Sequence, residues 1–279
     1  MRLGLNGSTI MHTDLITELT IADKAGFEIS EMRDAKLRPY LEKHSMAELK
    51  DFLKTLKIKP VNINALEPIT FVSEKDWPEL LQRAEWFCKT AADLGCLGIA
   101  AVPGLRPVGV TREDCFQESV RSLKRLAPVA ENYGLRISFE FIGFNGFTIQ
   151  GVGECLRVIE AVGWPHMGMV FDFIHFFTGE YALEELEAAD PHLIDMVHLN
   201  DAKNLPLEVH RQGDRYRLLP GDGIMATDEM LSTLANLGYD GDFSVEIYNP
   251  DIWAMDPVQT AHDAYVKSHK VLDRYYPLK

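Results

Sequence analysis

The stretch 136–175, RISFEFIGFNGFTIQGVGECLRVIEAVGWPHMGMVFDFIH, reads as an apolar run, a segment of helical periodicity that ends at Gly163, and a second apolar run. RISFEF and MGMVF are largely apolar where a half-exposed strand would alternate, as expected of strands covered on both faces of a parallel sheet. Gly163 stands where a residue of positive φ is wanted to end a helix and turn the chain back. Working outward, the same unit recurs. Further β-rich runs stand at Arg2–Asn6, Phe27–Met32, Lys59–Asn64, Gly98–Val102, Leu193–His198 and Phe243–Ile247, and with Arg136–Phe141 and Met167–Phe171 they make eight. Gly26, Gly95, Gly134 and Gly238 punctuate the other helix-to-strand passages, and Ser45 with Glu48 fits a capping box. Asp76 before Pro78, and Asp256 before Pro257, put prolines near first helical turns, where a missing N–H costs little.

Eight βα units in a chain of this length predict a (β/α)8 TIM barrel, with an open doubly wound sheet as the alternative. No G-x-G-x-x-G follows the first strand, which weakens the nucleotide-binding version. No low-complexity linker breaks the chain, so residues 1–279 are expected to form one domain. Asn200–Gly223 is the longest irregular stretch and is expected to be an active-site loop.

Composition narrows the function. The chain has 279 residues, with 28 basic against 42 acidic side chains and a net charge of −14. That excess repels phosphate backbones, so no nucleic-acid partner is expected. No apolar run is long enough to span a bilayer, and MRLGLNGSTI is no secretory signal, so a cytoplasmic protein without membrane attachment is expected. Cys88, Cys96, Cys115 and Cys155 show no C-x-x-C spacing and read as reduced core thiols.

In such a barrel the chemistry gathers at the C-terminal ends of the strands. Glu140 lies in ISFEF, Asp172 closes GMVFD, His198 closes DMVHL and Glu246 lies in FSVEI. Read singly, a carboxylate at a strand end is more often a cap or salt-bridge partner, and a strand histidine is more often a satisfied core residue. Four on consecutive strands would repel one another without a cation, and a divalent metal resolves the conflict. Mixed carboxylate and imidazole ligands suit Mn²⁺, Zn²⁺, Co²⁺ or Fe²⁺. His175, three residues after Asp172, either faces the same mouth or is a solvated loop residue. Arg217, in GDRYRLLPGDG, is either a surface arginine or a guanidinium that stabilises an oxyanion. Phe144, Tyr248 and Trp253 either wall a small polar ring or simply pack.

The runs SFEFIG, VFDFIH, VHLND, PGDG and SVEIY, with LGLN at the start and VNINAL in the third strand, resemble the xylose-isomerase-like barrels of the sugar isomerase and epimerase superfamily. The pattern is most similar to the branch acting on 2-keto-myo-inositol. The resemblance spans nearly the whole chain. It implies that Glu140, Asp172, His198 and Glu246 bind one divalent ion (Mn²⁺, Zn²⁺, Co²⁺ or Mg²⁺), and that His175 and Arg217 bind substrate. Asn200 departs from the pattern, standing where an aspartate is expected. The superfamily also contains apurinic-site endonucleases with three zinc ions. Here Asn62, Asn64, the run GIAAVPG, Arg215 and Arg217 occupy the places where extra histidines would be needed, which argues against DNA repair.

The implied chemistry moves a proton between neighbouring carbons of a ketose or cyclic keto-polyol through a cis-enediolate, with Glu140 and Glu246 as acid and base. The alternatives are a ketose 3-epimerase, a dehydratase or lyase on the same scaffold, and a non-catalytic sugar-binding protein. PGDG is a weak phosphate cradle, so an unphosphorylated sugar or polyol is expected as the partner. A homodimer or homotetramer is compatible with the resemblance.

Overall fold

Eight parallel strands follow one another along the chain: Arg2–Asn6 (β1), Ile29–Arg33 (β2), Lys59–Leu66 (β3), Gly98–Ala101 (β4), Arg136–Glu140 (β5), Met167–Asp172 (β6), Ile194–Leu199 (β7) and Asp242–Val245 (β8). Each pairs with its neighbours in sequence, and β8 returns to pair with β1, with Leu3 opposite Phe243, which closes the barrel. The computed structural model describes residues 1–179 and 182–276. The expected (β/α)8 barrel is therefore present, and the open sheet is excluded.

Local sequence explains the connections. Asp14 caps the helix Leu15–Ala25 by accepting from the Thr17 amide, and Gly26, at φ 108°, ends it. The Ser45–Glu48 capping box forms at Met46–Lys54, and Thr111 with Asp114 makes a second at Arg112–Glu131. Pro78 sits in the first turn of Trp77–Leu94. Every residue of β6 is buried, because the barrel interior covers one face and the helices cover the other. The Phe171 ring lies 6.1 Å from that of Phe141 and 5.1 Å from that of Phe176, tying β6 to the helix that follows it.

Register sets up the site. Asp172 of β6 stands opposite His198 of β7, and His198 stands opposite Ser244 of β8. On the far side of the barrel, Glu31 of β2 stands opposite Asn6 of β1 and Asn62 of β3.

Strand ends shift by a residue or two from the sequence reading, and two differences bear on the site. The last strand ends at Val245, so Glu246 lies one residue beyond it, its amide donating to the Leu199 carbonyl at 3.2 Å. The stretch Asn200–Gly223 is not wholly irregular. Asp201–Ala202 and Arg217–Leu218 form a two-stranded antiparallel ribbon, and Leu207–His210 is a helical turn. The Asp201 carboxylate accepts from the amides of Ala202, Gly223 and Met225 at 2.8, 2.8 and 3.0 Å, fastening the ribbon to the PGDG turn. Among the described residues no helix is long and apolar enough to cross a membrane.

Candidate metal centre

His198, from β7, is wholly buried, and both of its ring nitrogens meet carboxylate oxygens. Nδ1 lies 3.1 Å from Glu140 Oε1, 3.2 Å from Glu246 Oε2 and 3.5 Å from Asp172 Oδ2. Nε2 lies 2.8 Å from Glu31 Oε2. The four groups expected to gather at the mouth thus converge, their candidate ligand atoms all within 4.8 Å of one another. Among the described residues this is the one such cluster of His, Cys, Asp and Glu.

Arg217 and His175 join the cluster. Pairing in the ribbon delivers Arg217 to the barrel mouth, where it is 1% exposed; the surface alternative is excluded. Its Nη1 donates to Asp172 Oδ2 at 2.6 Å and Glu246 Oε2 at 2.9 Å, and its Nε donates to Asp214 at 2.6 Å. Its Nη2 lies 3.2 Å from His175 Nε2. An arginine can only donate, so His175 carries its proton on Nδ1, which is buried and has no partner.

His175 is no loop residue. Asp172 Oδ1 accepts from the amides of Ile174 and His175 at 2.8 and 3.4 Å, starting the helix Phe173–Thr178. Close packing then holds that helix: a Cβ on Gly143 would stand 2.0 Å from the His175 carbonyl, so the chain after β5 passes there only as glycine. Phe144 packs edge-on to the His175 ring at 4.7 Å rather than walling open space. The Trp253 indole donates to the Ser8 carbonyl at 2.7 Å. Tyr248 does line the cavity, its ring 5.5 Å from the Arg33 guanidinium and 5.4 Å from that of Arg217. Asn200, the departure from the expected aspartate, donates to Asp172 Oδ1 at 3.1 Å.

The sequence reading passed over a second ring of residues. Glu31, fully buried, accepts from Asn6 at 2.8 Å and Asn64 at 3.2 Å. Asn6 also donates to Glu246 Oε1 at 3.1 Å. Arg33 donates to Asn64 Oδ1, and Arg33, Glu67 and Asp214 border the cavity beside Tyr248. The signal for Glu31 was an ionisable residue inside a strand, the same signal that marks Glu140.

Electrostatics follow from burial and crowding. Burial pushes the Glu140 carboxyl up to about 8, against the pull of His198 and with the help of Glu246 and Asp172. Burial would lower His198, yet Glu246, Glu31 and Glu140 hold it well above the usual histidine range. Burial raises Asp172, but the Arg217 guanidinium, with His198 beside it, outweighs burial and holds the carboxyl well below its usual range. Burial lowers His175 to about 4, with Arg217 opposing the charged form, so its ring is neutral at pH 7.

The donor set fits a divalent cation. Glu140, Asp172 and Glu246 aim carboxylate oxygens at one point, and His198 adds Nδ1. Burying so many carboxylates is costly unless positive charge stands at their junction, and an imidazole with oxygen donors suits a borderline divalent ion. A cavity of about 170 Å³ lies over the cluster, lined by Glu140, His175, Arg217 and Glu246 among others. A larger cleft of about 440 Å³, bordered by Asp14, Lys36, Tyr40 and His44, contains none of these groups.

Comparison with known proteins agrees with this geometry. An inosose isomerase of Halalkalibacterium halodurans is 31% identical over 284 residues, covering 100% of this chain and 99% of its own. A crystal structure of the IolI protein with a bound zinc atom superposes with a TM-score of 0.95 at 28% identity, covering 100% of both chains. At the level of fold alone, a D-psicose 3-epimerase of Clostridium cellulolyticum with D-tagatose matches with a TM-score of 0.78 at 18% identity, over 98% of this chain and 99% of that one. A family model described as the xylose isomerase-like TIM barrel matches residues 19–275, and the chain belongs to that family.

Proposed function

We propose that the chain is a divalent-metal-dependent isomerase that acts on a cyclic keto-polyol, with 2-keto-myo-inositol as its first candidate substrate. One observation carries the reading: Glu140, Asp172, His198 and Glu246 converge within 4.8 Å beneath a polar cavity at the C-terminal mouth of the barrel. The full-length likeness to an inosose isomerase supports the choice of substrate.

Glu140, Asp172, His198 and Glu246 would hold the ion, which when bound supplies Lewis acidity toward a carbonyl and its neighbouring hydroxyl. The remaining work belongs to side chains. Glu140 and Glu246, from opposite flanks of His198, stand ready to take a proton from one carbon and return it to the next. Arg217 presents a guanidinium where negative charge develops on oxygen. His175, neutral and with a free Nδ1–H, donates without adding charge. Tyr248 and Arg33 border the cavity and limit the room around the ring.

The test is incubation of Mn²⁺-loaded protein with 2-keto-myo-inositol in D₂O, followed by NMR. Isomerised product carrying carbon-bound deuterium is the expected result. Deuterium at carbon with a different product would move the reading toward an epimerase or lyase, and binding without exchange would leave a sugar-binding protein.

A further inference from the structure

We propose that Glu31 is a positioning residue for the metal centre: it accepts the Nε2–H of His198 and so presents Nδ1 as the nitrogen available to an ion held with Glu140, Asp172 and Glu246. The inference rests on the metal reading above and adds the group that prepares the imidazole for it.

Every contact Glu31 makes comes from a donor. Asn6 Nδ2 reaches Oε2 at 2.8 Å, and Asn64 Nδ2 reaches Oε1 at 3.2 Å. Asn62 Nδ2 also donates to Oε1, at 3.5 Å, and His198 Nε2 lies 2.8 Å from Oε2. A carboxylate held by donors on both oxygens is an acceptor only, so Nε2 keeps its proton. Nδ1 is the nitrogen that faces Glu140, Asp172 and Glu246, so it is the one whose proton a cation among those oxygens would replace. A carboxylate behind a ligating imidazole also fixes the ring plane and raises its basicity. The support reaches a second ligand, because the same Asn6 amide that holds Glu31 also donates to Glu246 Oε1 at 3.1 Å. Glu31 is fully buried and does not line the cavity, so it touches neither substrate nor reacting atoms.

The experiment compares Zn²⁺ affinity of the full chain and of Glu31→Gln by competition with a chromogenic chelator, alongside thermal melting of both metal-free proteins. Glu31→Gln is expected to bind Zn²⁺ about 10–100-fold more weakly, while the metal-free variant still melts in one cooperative transition, because glutamine keeps the shape of the side chain and can still accept a hydrogen bond. Equal affinity in the two proteins overturns the proposal and leaves the metal reading intact. A wild-type chain that binds no Zn²⁺ overturns both. Should Glu31→Gln fail to fold, ¹⁵N-histidine NMR of the wild-type chain decides. A proton on His198 Nε2 with Nδ1 shifted by Zn²⁺ supports the proposal, and a proton kept on Nδ1 overturns it.

Discussion

Glu246 is the residue on which the proposed chemistry turns. It lies one position past β8, with one oxygen 3.2 Å from His198 Nδ1 and the other accepting from Asn6. Replacing it by glutamine keeps the shape and removes the base. We expect Glu246→Gln to lower kcat about 10²–10⁴-fold, the usual contribution of a positioned acid or base. The check is turnover measured on a sample whose metal content is assayed in parallel; full turnover with metal bound would end the acid–base role. At this scale the sequence is informative where burial is evident from the neighbours. Glu140 stands between apolar residues in ISFEF, so its burial can be read directly. Glu31 stands in FEISEM, where Glu28 and Ser30 are polar too, and the one-dimensional pattern cannot say which of them faces the barrel axis. That choice is made by pairing with β1 and β3, which sets Glu31 opposite Asn6 and Asn62.

The ribbon after β7 shows how an element delivers a residue. Arg217 reaches Asp172 and Glu246 because Arg217–Leu218 pairs with Asp201–Ala202, and that pair is fastened by one carboxylate accepting three backbone amides. Asp201→Ala leaves the buried amides of Ala202 and Met225 without their acceptor, at a cost of about 1–3 kcal/mol for each donor that water cannot reach. We expect a lower midpoint in urea and faster proteolytic cleavage between residues 203 and 216, with a loss of kcat/KM as Arg217 moves. A variant cleaved no faster than wild type would show that the ribbon holds without Asp201. The ribbon escaped the sequence reading because its strands are two residues long and joined by a long excursion, so no periodicity marks them. The helix Phe173–Thr178 escaped for another reason. Its cap is Asp172, the side chain also counted as a ligand, and a residue with two roles looks like a residue with one.

For the whole molecule, the eight-strand count was legible because each βα unit repeats the same local grammar of apolar run, helical segment and glycine. Strand ends shifted by a residue or two, since backbone pairing rather than side-chain pattern decides where a strand stops. The proposed centre can form only in the closed barrel, because the residues that would hold the ion come from β5, β6, β7 and the position after β8. An ion held there binds the native state alone. At 100 times its Kd it should stabilise the fold by about 2.7 kcal/mol. Thermal melting titrated with Mn²⁺ or Zn²⁺ should therefore shift upward with concentration and return on adding chelator. An unchanged melting curve at saturating metal would exclude a site specific to the native state.

The placement of Glu31 and His198 also bears on how the chain is made. Glu31 leaves the ribosome early, while the imidazole that meets it lies far downstream in β7. Until then its carboxylate has no cationic or N–H partner from that ring, and dry burial would be expensive. Asn6 and Asn64, made at about the same time, already donate to it from β1 and β3. Its set of donors is nevertheless complete only when β7 is in place, so the best-satisfied state of this early acid is the finished barrel.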